Sequence, residues 1–439
     1  MSNTNVNKIC VIGLGYIGLP TASIFASQGF KVRGVDNNPT VVETLRQGRL
    51  HIEEPGLATV VKAAVQSGNL DVQATPAEAD VFIIAVPTPY QHEEGNIPVA
   101  DMSFVKKATE SVLPFLKKGD LVILESTSPA GTTRDLIVPL IEKKGLKPGK
   151  DVGVAYCPER VIPGQALKEL TGNDRVIGAI DQKWGEITRK LYKSFVSGEI
   201  FLTEPTVAEM VKLLENTYRD VNIALANEVA VLCEKLGINV WDVIKIANRH
   251  PRVNVHNPGP GVGGHCISVD PWFLVEKFPK DANLIHLART INDKMPHFVV
   301  QNIVRLLKGQ SAPKIAVLGL AYKGNVDDDR ESPAVAVVRL LKKELPAAKV
   351  AIYEPHVKSK EFSTEGIQTV FKGAQLAVLL TPHDEYRFID PAEVGGLMTS
   401  RVLFDTHNFL KAEKWLPAGF QVHVLGSGGR PEAAKVPPR

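Results

Sequence analysis

Lys8-Ile9-Cys10-Val11-Ile12-Gly13-Leu14-Gly15-Tyr16-Ile17-Gly18 decides how this chain is read. A short apolar run of the buried-strand type leads straight into three glycines spaced G-x-G-x-x-G. The first glycine permits a tight turn, the second lets backbone approach a pyrophosphate, and the third lets the ensuing helix pack close to the strand. The helix N-terminus then presents unpaired N–H groups to the anion. The motif alone is weak, but here Asp36 ends a second apolar run, Lys31–Val35, 18 residues after Gly18. A carboxylate at that place accepts both ribose hydroxyls and repels a 2′-phosphate, and Asn37 and Asn38 follow it rather than Arg or Lys. NAD is therefore the expected cofactor. Gly13, Gly15, Tyr16, Ile17, Gly18 and Asp36 form the candidate cradle; a strand-to-helix turn that holds no ligand is the bland alternative.

Outward from this stretch, apolar runs at Val81–Val86, Leu121–Glu125 and Val152–Tyr156 alternate with amphipathic segments such as Pro39–Arg46 and Val105–Leu116. That alternation predicts a doubly wound α/β sheet. Two of the runs lead into Val86-Pro87-Thr88-Pro89 and Ser126-Thr127-Ser128-Pro129. Ligands of open α/β sheets lie beyond the carboxyl ends of strands, so Thr88 and Thr127 are candidate cofactor contacts. Capping of their own turns is an equally good reading of each.

Near residue 205 the texture changes. Thr203-Glu204-Pro205 reads as a helix start and Gly237 as its stop. The roughly 30 residues between them span about 45 Å at ~1.5 Å per residue, long enough to join two domains. Lys314-Ile315-Ala316-Val317-Leu318-Gly319 then echoes Lys8–Gly13, and further runs follow at Val350–Tyr353, Leu376–Leu380 and Val402–Phe404. The expected architecture is α/β: two Rossmann-like doubly wound domains, residues 1–203 and 311–426, joined by a long central helix and helical bridge over 204–310. Residues 427–439 lack periodicity and read as a loose tail.

The 439 residues are 44% apolar and 23% charged, with both signs interspersed and a formal net charge of +3. This is the balance of a globular protein, and it supplies no field for nucleic acid. Gly and Pro interrupt each apolar run well short of a membrane span, and no charged-plus-apolar leader pattern is present. Cys10, Cys157, Cys233 and Cys266 form no CxxC pair, so neither a zinc site nor a disulfide framework is indicated, and a reducing, cytoplasmic setting is expected. His250, His256 and His265 lack a completing acidic or thiol set; no metal is expected.

The chemistry concentrates in Gly259-Pro260-Gly261-Val262-Gly263-Gly264-His265-Cys266, with Asp270 four residues on and Pro271 placed to open a helix. Such a loop can wrap closely around a ligand. A thiol among backbone N–H groups and a helix start has the surroundings of a nucleophile. On the central segment, Lys212 and Asn216 are spaced i, i+4, and Asp220 and Asn227 continue their face among Met210, Val211, Leu213 and Leu214. This polar stripe is expected to face a wet cleft.

Together, Gly13–Gly18, the loop through Cys266 with Asp270, and Asp327-Asp328-Asp329-Arg330-Glu331-Ser332-Pro333 resemble the UDP-glucose/GDP-mannose dehydrogenase family over roughly residues 8–425. Tyr156-Cys157-Pro158-Glu159-Arg160 and Arg249-His250-Pro251-Arg252-Val253-Asn254 most resemble the members that oxidise UDP-N-acetylmannosamine. The resemblance implies a four-electron oxidation of a sugar C6 alcohol to the acid, through a thiohemiacetal and a thioester on Cys266. It also implies Lys212 and Asn216 as donors to the developing oxyanion, and Asp270 in proton transfer and hydrolysis. Glu159 would handle water or a proton, with Thr127 near the same water. Arg330 would reach the NAD pyrophosphate. Glu159, Arg160, Lys212, Asn216, Arg252, Gly261, Gly263, Gly264 and Lys323 would line the UDP-sugar site, and a homodimer would form across the central helix.

Bland readings stand beside these. Asp270 is also a good N-cap, and Lys212 an ordinary solvated charge. Asp327–Asp329 read as a solvated turn, Asp328 above all. UDP-N-acetylglucosamine and UDP-glucose are the alternative substrates. A two-electron alcohol dehydrogenase, which needs no Cys266 loop, and a non-catalytic nucleotide-sugar sensor are the rival classes.

Overall fold

Two parallel-rich sheets organise the computed structural model, which describes residues 6–52, 54–91, 97–161, 164–429 and 431. The chain divides into two compact units: Met1–Glu215 with Trp272–Pro279, and Asn216–Pro271 with Lys280–Arg439.

The first unit carries β1 (Lys8–Ile12), β2 (Lys31–Val35), β3 (Leu70–Gln73), β4 (Val81–Ile84), the short pair β5 (Tyr90–Gln91) and β6 (Val99–Ala100), β7 (Leu121–Leu124), β8 (Gly153–Tyr156), β9 (Arg175–Ala179) and β10 (Ile200–Thr203). The main sheet runs β10-β9-β8-β7-β4-β1-β2-β3. Ile12 pairs with Val35 on one side of β1 and with Ile84 on the other, so the order reverses there and opens a crevice at the strand ends. Phe25, Leu57 and Trp184 cover one face of the sheet; Val105, Val112 and Ile141 cover the other. Strands buried on both faces have no use for polar alternation, which is why they read as continuous apolar runs.

Two features depart from the pattern read in the sequence. β3, β9 and β10 are not among the strands expected from the sequence. β9 pairs antiparallel with β8, Tyr156 opposite Gly178. A parallel return must carry the chain back along the whole sheet. The connection after β8 instead leaves Arg175, the first residue of β9, beside the end of β8.

The central helix is Pro205–Leu236, 32 residues and about 48 Å at ~1.5 Å per residue, followed by Gly237 with φ 69°. The boundary between the two units falls inside it. Ala208, Lys212, Leu213, Asn216, Asp220 and Asn227 are buried along one face, while Leu214, Tyr218, Leu225 and Leu232 stay exposed.

The second unit carries β11 (Lys314–Leu318), β12 (Lys349–Tyr353), β13 (Leu376–Leu379), β14 (Val402–Asp405) and β15 (Gln421–Val424) in the order β12-β11-β13-β14-β15. Val299, Ile303, Val337 and Leu341 pack on one face, and Phe371, Val394 and Trp415 on the other. This sheet is doubly wound with its own switch between β11 and β13. Of the loose tail expected over 427–439, Ser427 is buried and Gly428 lies against Gly237. Val240 N–H donates to Gly426 O and Trp241 Nε1–H to Leu425 O, both at 2.9 Å, which docks the turn after β15 on the helix Val240–Ala247. The rest of that tail, apart from Gly429 and Pro431, lies outside the described residues. Among the described residues no helix is long and apolar enough to cross a membrane.

Candidate active site

In the first unit, Gly13 follows β1 with φ +91°, and a Cβ there would sit 2.5 Å from Ala85 O. Gly18 is equally confined, its would-be Cβ 1.9 Å from Gly13 O, whereas the side of Gly15 is open. The first and third glycines are thus required by packing, and the second leaves backbone accessible to a ligand. Tyr16 and Ile17 lie in the turn between them, and the helix Gly18–Ser27 follows. Asp36 accepts Leu14 N–H at 3.0 Å and Asn38 N–H at 2.9 Å. A carboxylate has about four acceptor sites, so capacity for two ribose hydroxyls remains. Arg33 is held by Asp71 at 2.8 Å rather than left to a 2′-phosphate. The cradle fits NAD. Asp36→Ala is expected to weaken NAD binding by about 1.5–3 kcal/mol, the scale of a charge-assisted contact. It should also narrow the preference over NADP, read as KM ratios; equal turnover of the unchanged protein with NADP would contradict this role.

Thr88 and Thr127 sit partly exposed in the loops after β4 and β7. The turn beyond Thr127 is pinned by Glu209 of the central helix, a residue the sequence reading missed. This buried carboxylate accepts Thr133 N–H at 2.8 Å and Thr133 Oγ1–H at 2.6 Å. Lys212, one turn further along, is buried to 7% exposure, which removes the solvated-charge reading.

Glu159 is buried at the end of β8, where Arg175 donates to its Oε2 at 2.7 Å and Arg160 N–H to its Oε1 at 2.8 Å. No motif marks Arg175; the antiparallel turn-back into β9 brings it there. Arg160 reaches Glu215 of the central helix at 2.6 Å.

In the second unit, Cys266 is exposed, whereas Cys10, Cys157 and Cys233 are buried. Its carbonyl accepts Val269 N–H at 3.1 Å and Asp270 N–H at 2.9 Å, a turn leading into the helix Asp270–Lys277. The sides of Gly263 and Gly264 are filled by protein: a Cβ at Gly263 would lie 2.4 Å from Glu331 O, and one at Gly264 2.6 Å from the Tyr322 ring. Gly261 is less confined, its would-be Cβ 3.2 Å from Asn292 O and from Pro333 Cβ, but it holds φ +135°. The glycines therefore let the loop seat against Tyr322–Pro333. His265 Nε2 faces Asp328 at 3.8 Å. Burial, then Arg330, holds this imidazole below its usual range against the pull of Asp328. It is therefore neutral near pH 7 and adds no positive charge beside the thiol.

Asn216 and Asp270, both buried, are hydrogen-bonded to one another, Asn216 Nδ2–H donating to Asp270 Oδ2. Arg219 donates to the amide oxygen of Asn216. The i, i+4 pattern indicated Asn216 but not these partners.

Two expectations are corrected. Asp220 and Asn227 face no wet cleft: both are fully buried, Asp220 accepting Arg289 at 2.6 Å and Asn227 donating to Asn292 at 2.8 Å. Their partners sit on the helix Asn283–Leu306, which the α-helical period of the stripe could not identify. Asp328 is not a solvated turn residue: it is 15% exposed at the side chain and binds Arg330 Nε and Nη2 at 2.8 and 2.7 Å. Arg330 is thereby held within its own loop, although half exposed. Lys323 and Arg252 lie exposed in loops.

Three family models match in succession: the NAD binding domain of the UDP-glucose/GDP-mannose dehydrogenase family over residues 7–196, its central domain over 206–294 and its UDP binding domain over 316–412. The chain belongs to the UDP-glucose/GDP-mannose dehydrogenase family and is an NAD-dependent oxidoreductase. A UDP-N-acetyl-D-mannosamine dehydrogenase of Methanococcus maripaludis is 49% identical over 97% of this chain and 98% of its own length. An NDP-N-acetyl-D-galactosaminuronic acid dehydrogenase of Ralstonia solanacearum is 44% identical over 92% and 97%. The solved structure of a UDP-D-ManNAc dehydrogenase from Pyrococcus horikoshii superposes with a TM-score of 0.89 at 41% identity, over 96% of this chain and 100% of that one.

Proposed function

We propose that this protein oxidises the C6 alcohol of a UDP-N-acetylhexosamine to the uronic acid in two steps, with UDP-N-acetylmannosamine the favoured substrate. The observation that carries this reading is the exposed Cys266 four residues ahead of Asp270, itself bonded to Asn216. NAD, when bound, accepts a hydride at each oxidation.

The alcohol first loses a proton and a hydride, giving an aldehyde. The Cys266 sulfur adds to its carbonyl carbon, and the oxygen takes up a proton to form a thiohemiacetal. Loss of a second hydride and that proton leaves a thioester. Water cleaves it to the carboxylate and frees the thiol. A thiol is needed because a free aldehyde has no carbinol hydrogen to give up, whereas its adduct does. Lys212 and Asn216 stabilise the oxyanion, Asp270 takes and returns protons, and Glu159, with Thr127, orients the water. Arg160, Arg252, Lys323 and the backbone of Gly261, Gly263 and Gly264 hold the UDP-sugar, while Thr88 and Arg330 serve the cofactor. Residues 1–203 serve as the NAD domain, 204–310 as the bridge and 311–426 as the UDP-sugar domain.

The substrate preference draws on the names of the Methanococcus and Pyrococcus relatives; the Ralstonia relative supports a second reading within the same sugar class. The exposed stripe Leu214, Tyr218, Leu225 and Leu232 supports a homodimer, which sedimentation as a single 47.8 kDa chain would overturn.

The test is NADH counted per sugar across UDP-N-acetylmannosamine, UDP-N-acetylglucosamine and UDP-glucose. Two NADH per sugar are expected, with turnover falling in that order. One NADH per sugar would make this a simple alcohol dehydrogenase, and binding with no NADH would make it a sensor. Activity on UDP-glucose alone would overturn the substrate assignment.

A further inference from the structure

Behind Glu159, in the first unit, lies a buried set of ionisable groups that this reaction leaves unused. Glu125 follows β7 and is 2% exposed; Tyr192, from the helix Gln182–Tyr192, donates its O–H to Glu125 Oε1 at 2.5 Å. Arg175 is 3% exposed and sits over the Tyr192 ring at 4.9 Å while binding Glu159. Cys157 Sγ is 3.8 Å from Arg175 Nη1. The groups acting on Glu125 are thus Thr21 from the helix Gly18–Ser27, Tyr192, Arg175 from β9, and Cys157 and Glu159 from the end of β8.

Counting charges places the proton. Two carboxylates here share one guanidinium in a low-dielectric interior, so ionising both leaves an uncompensated negative charge. Glu159 has the direct ion pair and a backbone N–H, whereas the hydrogen bond Glu125 accepts comes from a neutral phenol. The shared proton therefore resides on Glu125. Burial pushes the Glu125 carboxyl up to about 7, Arg175 opposing and Glu159 adding to the rise. Burial also pushes the Cys157 thiol up to about 12 and the Tyr192 phenol well above its usual value, so neither ionises near neutral pH.

We propose that Arg175 and Glu125 are positioning residues for Glu159: Arg175 fixes its carboxylate in place, and loss of the Glu125 proton draws Arg175 away, leaving Glu159 able to accept the proton of the hydrolytic water. The proposal rests on the role given to Glu159 above. While Glu125 is neutral, Arg175 is committed to Glu159. Once Glu125 ionises, the two carboxylates compete for one cation, and the hold of Arg175 on Glu159 loosens.

The experiment is kcat and KM for uronic acid formation from roughly pH 6 to 9. The unchanged protein should show kcat rising several-fold through a limb near neutral pH. Glu125→Gln keeps an acceptor for Tyr192 but cannot ionise, so its profile should lose that limb and stay at the low-pH level, with KM for the UDP-sugar within about twofold. Tyr192→Phe removes the donor that stabilises the ionised Glu125, so its limb should move to higher pH. A limb that persists unmoved in Glu125→Gln, or stays in place in Tyr192→Phe, overturns the proposal. So does a loss in Glu125→Gln that is uniform across pH, which marks a purely structural residue. Glu159→Gln separates the two layers: acid formation at the level of the unchanged protein would remove Glu159 from the reaction itself, whereas slow acid formation with the first NADH retained supports it.

Discussion

Cys266→Ser should all but abolish uronic acid formation while leaving some capacity to make aldehyde. Serine keeps the size and hydrogen bonding of cysteine, but it replaces a thiol of reference pKa ~8.5 with a hydroxyl that scarcely ionises near neutral pH. In the proposed mechanism the first oxidation needs no bond to the enzyme, so it can survive, whereas the next step depends on one. The second needs the adduct, and a serine adduct forms poorly and yields a less labile ester. Residual product should therefore stall as aldehyde, caught by a carbonyl reagent, or as an ester seen in the mass of the intact protein. The exposure of Cys266 against the burial of Cys10, Cys157 and Cys233 adds a control: a thiol alkylating agent should label the native protein once, and the variant not at all. Acid production by Cys266→Ser at the rate of the unchanged protein would remove the thiol from the chemistry.

Lys212→Ala should slow every chemical step. Loss of a single oxyanion donor typically costs ~10²–10³-fold in kcat. Because the proposed mechanism develops charge on oxygen at both oxidations and at hydrolysis, no one intermediate should accumulate, which separates this variant from Cys266→Ser. Lys212 is buried, so truncation also removes packed methylenes; thermal unfolding of the variant measures that part separately. A kcat within about tenfold of the unchanged protein, with the fold intact, would show that Lys212 is not an oxyanion donor.

What the sequence determined by itself was local. Gly13-x-Gly15-x-x-Gly18 after an apolar run, Asp36 at the end of the next one, Pro205 and Gly237 bounding the central helix, and a glycine loop delivering Cys266 to Asp270 all follow from neighbouring residues and their period. Turn sterics, strand burial and helix start and stop chemistry act over a few residues, so they are readable without the fold. What only the tertiary structure decided is which side chains share a charge or a hydrogen bond across the chain. The reversal into β9 carries Arg175 to Glu159, the helix Asn283–Leu306 buries Asp220 and Asn227, and Tyr322–Pro333 takes up the space that the loop glycines leave. A buried charge is stable only beside its partner, and the partner's distance along the chain is set by topology rather than by any local pattern.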